Sequence, residues 1–259
     1  MCGSRRGCGS DTERPGKLRI KLTGYPDKKQ KKDLVRLVKG VNETDRTHYG
    51  VPSDADLYCF YYDDLCRQAG AAALYKMGEK LGGLEVFEIA AFVRADARGH
   101  GIFRLMLDEF GEYLRNSVVR FAVYDGPDVR AVLDSIGAEH DHDELLLYAD
   151  TDLFQGTGQE EKMSVVIDPE EGKVSTPFGE CYYRSSAGQT YVFGVMTYAN
   201  HRGKGYARKM LRQLFAILRE EGTEQVCLQV SSENVPAMKL YEKLGMKEKD
   251  RLSYYSKVW

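Results

Sequence analysis

The sequence predicts an α/β chain built as two tandem units, and three observations carry that expectation. A glycine loop, Arg202-Gly203-Lys204-Gly205-Tyr206-Ala207, stands between an apolar run, Tyr191 to Tyr198, and a helical pattern, Ala207 to Leu218. The same order occurs earlier: apolar Leu84 to Val93, then Arg98-Gly99-His100-Gly101-Ile102-Phe103, then a helical stripe of Phe103, Met106, Leu107, Phe110 and Leu114. The two loop arginines are 202 − 98 = 104 residues apart. Finally, 259 residues with 42% hydrophobic and 29% charged side chains suffice for one large or two small globular domains.

Taken in chain order, residues 1–16 are rich in Gly, Ser and charge and lack an apolar core, so they read as a flexible leader rather than a secretory signal. The first unit, 17–150, opens with a strand from Lys17 to Leu22 and a helix from about Asp27 to Val41. After its glycine loop and helix, Val118 to Val123 reads as a strand, followed by Asp128, Ala131 and Gly137 and a last strand, Leu145 to Tyr148. His140-Asp141-His142-Asp143 reads as a solvated acidic loop, because no third metal ligand is implied. Residues 151–161 form a linker with an acidic, glycine-containing stretch, Gly156 to Glu161.

The second unit, 162–259, begins with a hairpin arm, Met163 to Ile167, turning at Pro169-Glu170-Glu171-Gly172. Beyond the second loop and helix, Gln225 to Val230 alternates, with Val226, Leu228 and Val230 on one face of a strand. Asn234 is a favourable N-cap and Pro236 falls in the first helical turn. Ala237, Leu240, Tyr241 and Leu244 recur at helical spacing, and Gly245 fits the stop.

Composition narrows the partners. A net charge of −2 and a pI near 6.3 argue against a nucleic-acid-binding field. No apolar stretch approaches the ~20 residues of a membrane span. Six scattered cysteines, Cys2, Cys8, Cys59, Cys66, Cys181 and Cys227, form no C-x-x-C pair, which fits reduced thiols in the cytoplasm. Cys59-Phe60-Tyr61-Tyr62 and Cys181-Tyr182-Tyr183 look alike but stand at different distances from their loops, so the likeness is read as chance.

The chemistry concentrates at the second loop. Two glycines before a helix start let backbone N–H groups converge on an anion, most often a phosphate. A dinucleotide fingerprint wants a third glycine where Arg208 stands, and a Walker loop wants Ser or Thr after Gly-Lys where Gly205 stands. A dinucleotide site would also need an acidic residue ending the next strand, and Glu221 and Glu224 precede it. What remains, R-x-x-G-x-A after a strand, resembles the acyl-CoA pyrophosphate loop of the GNAT family of N-acetyltransferases. The likeness covers roughly Tyr191 to Met246, including the strand, Asn and Tyr-bearing short helix that follow.

That resemblance implies two tandem GNAT-like units, each a mixed, mostly antiparallel sheet flanked by helices, the second truncated at its N-terminal end. It implies acetyl-CoA as co-substrate, no metal, and direct attack of a primary amine on the thioester. The acceptor is a small molecule or a peptide, and the chain a monomer or homodimer. Arg202, Gly203, Lys204, Gly205, Tyr206 and Ala207 would cradle the pyrophosphate. Val195, Met196 and Thr197 would pair with the pantetheine arm and polarise the carbonyl. Asn234 caps its helix and would also touch the arm. Tyr241 would protonate the departing thiolate, since a phenol's pKa lies close to a thiol's. No base is assigned: the family position eleven residues before the loop arginine is Tyr191, and Glu180 or a water chain is the remaining option.

The first copy departs from the pattern. Phe103 stands at Ala207's place, Ser135 at Tyr241's, and Gly137 arrives early, since 137 − 128 = 9 against 245 − 234 = 11. It reads as a degenerate copy. The second lacks the opening helices that help hold an acceptor, so the first copy or a partner subunit would complete that pocket. The alternative to an enzyme is a non-catalytic acyl-CoA-binding or interaction module.

Overall fold

The computed structural model describes residues 19–155, 163–186 and 189–259; the leader and the Gly156–Glu161 stretch lie outside them. The chain divides into two compact units that do not follow its order. Of the described residues, unit one holds those from Arg19 to Ala122, Leu133–Glu139 and Ser256–Trp259, and unit two holds Val123–Val132 and those between His140 and Tyr255.

In unit one, strands β1 (Arg19–Thr23), β2 (Leu57–Tyr62), β3 (Gln68–Leu81) and β4 (Leu84–Val93) pair antiparallel in sequence order. Strand β5 (Ser117–Val123) then joins β4 in parallel. Helix α1 (Lys28–Asp45) starts at Asp27, whose side chain accepts from the Gln30 N–H while Gln30 reaches back, a reciprocal cap. Its stripe of Leu34, Leu37, Val38 and Val41 packs on Tyr58, Phe60, Ala71, Ala73 and Phe92. Helix α2 (Ile102–Glu109) covers the other face, where Ile102 and Met106 leave no room for a side chain at Gly70. The C-terminal residue Trp259 exchanges backbone hydrogen bonds with Asn116 and Ser117 beside β5.

In unit two the sheet order is β6 (Glu139–Asp150), β11 (Gln225–Ser231), β10 (Gln189–Thr197), β9 (Gly179–Ser186), β8 (Lys173–Thr176) and β7 (Val166–Asp168), with β12 (Lys247–Val258) flanking β6. Only β10 and β11 are parallel among the ladders β6-β11-β10-β9-β8-β7. Helices α4 (Tyr206–Glu220) and α5 (Val235–Lys243) share one face with a single core, Val192, Leu228 and Leu147 meeting Leu211, Leu214, Phe215 and Leu244. Between Asp150 and Gln189 the described residues hold a short 3₁₀ turn (Thr151–Phe154) and three strands, with no α-helix. The intervening α3 (Pro127–Ser135) ends at Gly137, φ +72°.

One reading changes. His140 to Asp143 are not a loop but the start of β6, because His142 stacks on Tyr254 and His140 meets Tyr255 edge-on, extending the strand beyond the apolar run. That strand pairs antiparallel with β11. The resemblance of Cys59 to Cys181 has no structural counterpart: Cys59 lies on the second strand of its unit, and Cys181 on β9, whose pairing with β10 matches that of β3 with β4.

Candidate functional site

Strands β10 and β11 run in parallel from Gln189–Gln225 only as far as Val192–Leu228, yet both continue, to Thr197 and Ser231. Beyond Val192 the backbone of β10 has no ladder partner on the β11 side. On its other side the register with β9 breaks between Phe193 and Met196, with Gly194 at φ +60°. That bulge turns the strand end away from β11 and opens a gap. Val195, Met196 and Thr197 line it, Val195 packing on the core and Met196 facing solvent. Gly179 holds the bulge from behind: a Cβ there would sit 2.2 Å from the Met196 carbonyl oxygen.

The gap ends at the glycine loop. A 3₁₀ turn, Ala199–His201, delivers Arg202, whose Nε donates to the Thr197 carbonyl at 3.1 Å. Gly203 (φ +74°) and Gly205 (φ +79°) then take the left-handed conformation that only glycine holds without strain. No protein atom lies within 4 Å of where a Cβ would be at either position, so both face open space. Gly205 is the N-cap of α4 and supplies no side-chain acceptor, leaving the first-turn N–H groups of Tyr206 and Ala207 aimed outward at the positive helix end. Lys204 donates to the Asn200 carbonyl at 3.1 Å and is exposed. The Tyr206 ring stacks on Phe178, centroids 3.9 Å apart, with His201 edge-on.

Two further elements meet the same sheet end. Asn234 caps α5, its Oδ1 accepting from the Ala237 N–H at 3.2 Å, and its exposed Nδ2 has no protein partner among the described residues. Tyr241 is buried at 6% exposure, and its hydroxyl likewise has no hydrogen-bond partner among the described residues. Burial, with a smaller contribution from the nearby Cys181 thiol, pushes the phenol up to about 12. The phenol therefore stays protonated, but its acidity no longer matches a thiol's as the sequence reading supposed. Glu180 pairs with Met196 across β9 and β10, and Lys173 Nζ holds it at 3.1 Å. A cleft of about 380 Å³ beside α5, lined by Leu147, Met238 and Glu242, touches none of these residues.

Unit one repeats much of this geometry. Arg98 Nε donates to the Val93 carbonyl at 3.2 Å, and Gly99 and Gly101 sit at φ +77° and +73°. The β4–β5 ladder also stops early, at Glu88–Arg120. Three things differ. β4 keeps an unbroken register with β3 from Val93 to Phe87. The Arg98 guanidinium forks onto Asp45 at 2.9 and 2.6 Å. Phe103 packs edge-on against Phe121. Glu88 went unremarked in the sequence: burial raises its carboxyl pKa, opposed by Arg120. A glutamate inside the apolar run Leu84–Val93 was the available signal.

Comparison with known proteins falls on the same segment. Residues 134–246 match the model of the acetyltransferase (GNAT) family, a range that holds the bulge, the loop, Asn234 and Tyr241. An uncharacterized N-acetyltransferase, YycN, of Bacillus subtilis (strain 168) is 36% identical over 62 residues, 24% of this chain and 40% of that relative's length. In fold, the chain is similar to a GCN5-related N-acetyltransferase from Sphaerobacter thermophilus, with a TM-score of 0.67, 13% identity, and 94% and 96% of the two chains covered. A tandem GNAT protein from the clavulanic acid biosynthesis pathway aligns with a TM-score of 0.64, 14% identity, and 93% and 98% covered.

Proposed function

We propose that this chain, which carries a GNAT-family acetyltransferase domain over residues 134–246, moves an acetyl group from acetyl-CoA to a primary amine of a small molecule or peptide. The observation that carries the reading is the early end of the β10–β11 ladder, because it frees a row of backbone groups between a phosphate-ready loop and a protonated phenol. In this reading the N–H groups from Gly203 to Ala207 hold the pyrophosphate, with Arg202 fixing the loop to the strand and Lys204 at its rim. The backbone of Val195, Met196 and Thr197 pairs with the pantetheine arm, and an N–H there polarises the thioester carbonyl. Asn234 Nδ2 donates to the arm while Oδ1 keeps the cap.

The amine nitrogen attacks the carbonyl carbon, the C–S bond breaks, and the thiolate takes the Tyr241 proton. The phenol regains a proton from the nitrogen that has become an amide, directly or through water. Positioning supplies most of the acceleration, since no covalent enzyme intermediate forms. The reading places the chain in the cytoplasm as a monomer or homodimer.

Replacing Tyr241 with Phe tests this directly. Thiol release from acetyl-CoA should fall by about 10²-fold or more, the range of a lost general acid, with acetyl-CoA affinity unchanged. An unchanged rate would remove Tyr241 from the mechanism, and a chain that binds acetyl-CoA but turns over no amine would favour the non-catalytic binding module.

A further inference from the structure

The face of the unit-two sheet opposite α4 and α5 has no role so far. The register places Tyr148, Cys227, Tyr191 and Arg184 in one row; beyond it, on either side of the gap, Leu146 pairs with Gln229, and Phe193 with Tyr182 and Lys173. None belongs to the buried core, and all are partly or fully exposed. In unit one α1 seals the corresponding face with leucines and valines; unit two instead presents rings, amides and cations.

The rings form one surface. Phe193 lies 5.7 Å from Tyr182 and 6.1 Å from Tyr191, with interplanar angles of 22° and 23°. The Tyr191 hydroxyl donates to Gln229 Oε1 at 3.3 Å, spanning β10 to β11 beside the gap. Lys173 sits over Tyr182 but is neutralised by Glu180. The Arg184 guanidinium lies 5.7 Å from the Phe193 centroid and has no carboxylate partner among the described residues. Across the sheet, on β6, Glu144 shares this face, and its charge is felt at the Tyr191 phenol.

We propose that this face binds the acceptor, and that the acceptor is a ring-bearing primary amine carrying an anionic substituent. The inference rests on the acetyltransferase reading above. With α4 and α5 packed on one face, an amine reaches the gap between β10 and β11 from the other. Its ring lies on Phe193 and Tyr191, its ammonium enters on the Glu144 side, and its anion meets Arg184. Acyclic polyamines find no ring contact and are repelled by Arg184. Phe193, Tyr191 and Arg184 are thus specificity determinants, acting on KM for the acceptor.

The test measures thiol release by the full chain with 4-(aminomethyl)benzoate or glucosamine 6-phosphate (ring, with the anion across it from the amine), benzylamine or glucosamine (ring alone), and spermidine or cadaverine (acyclic). The two ring types separate an aromatic from a carbohydrate acceptor. At least one ring-and-anion amine should exceed the acyclic amines by about tenfold or more in kcat/KM, the scale of one stacking contact. Arg184→Gln should erase its advantage over its neutral counterpart, and Phe193→Leu, which keeps the site apolar, should raise acceptor KM with acetyl-CoA affinity unchanged. Equal or better use of acyclic amines, variants without effect on KM, or acetyl-CoA binding with no ring amine turned over would each overturn the inference. Absence of acetyl-CoA binding, read by calorimetry in the same series, would instead remove the acetyltransferase reading beneath it.

Discussion

The strand–loop–helix segments Val93–Ile102 and Thr197–Tyr206 differ less in the loop than in what surrounds it. Both loops place two glycines at positive φ and tie the arginine Nε to the carbonyl that ends the strand. Even the closing hydrogen bonds correspond: Arg94 N–H to Ala69 and Tyr198 N–H to Phe178, both at 2.9 Å. What separates them is the bulge at Gly194, the phenol at Tyr241 where the first copy has Ser135, and the Asp45 carboxylate that occupies Arg98. A glycine loop at a helix start is a general anion cradle. On the proposed reading, the strand bulge and the last helix make it an acyl-transfer site.

The comparison breaks most sharply at Tyr241. Tyr241→Phe should cost about 10²-fold or more in kcat, whereas Ser135→Ala should leave it within twofold or so, since no acid is proposed there. With its phenol pushed up to about 12, Tyr241 stays protonated at every pH below that, so its own ionisation should not impose a basic limb on the rate up to about pH 10. A basic limb near pH 8 that vanishes in the Phe variant would contradict this.

Next in size is the pair of glycines behind the strand ends. Gly179→Ala drives a Cβ into the Met196 backbone oxygen, which cannot step aside, and should cost roughly 2–3 kcal/mol of stability together with the bulge geometry. Gly70→Ala meets the Ile102 methyl at 2.8 Å and the Met106 side chain, which can shift, and should cost less, about 1 kcal/mol. Denaturant midpoints of the two variants decide this; equal losses would mean the bulge has no special rigidity.

These contrasts mark how far the sequence could be read. Local rules located the loops, the Asn234 cap and Gly245, because each depends on residues within one turn. The bulge was not legible: one extra residue at Gly194 leaves the apolar run Val192–Met196 looking continuous, and only the pairing with β9 exposes it. The open ring face was hidden for the same reason. Tyr191, Phe193 and Tyr182 become neighbours through register, which short-range pattern does not specify. The early start of β6 depends on Tyr254 and Tyr255, more than a hundred residues away. The tyrosine's acidity was misjudged because burial, invisible in a single sequence, dominates it.

The smallest expected effect belongs to unit one alone. Burial would raise the Asp63 carboxyl, but the Arg67 N–H and the Arg94 and Arg67 guanidinium groups outweigh it and hold the pKa at about 2. A depressed carboxyl stabilises the fold above its unfolded pKa and loses that contribution as pH falls toward 2. Asp63→Asn should therefore lower stability on the order of 1 kcal/mol at pH 7, after solvent screening, and the difference from the parent should vanish near pH 2. Urea titrations at the two pH values check it; a difference that persists at low pH would point to lost packing instead.

The most direct measurement is calorimetric titration with acetyl-CoA, comparing the parent chain with Gly205→Ala and Gly101→Ala. Each alanine carries only the left-handed backbone strain, roughly 1–2 kcal/mol, since its Cβ meets open space, so both variants should fold. The account predicts one site per chain, kept in Gly101→Ala and weakened or lost in Gly205→Ala. Two sites, a site that depends on Gly101 rather than Gly205, or no binding would contradict it.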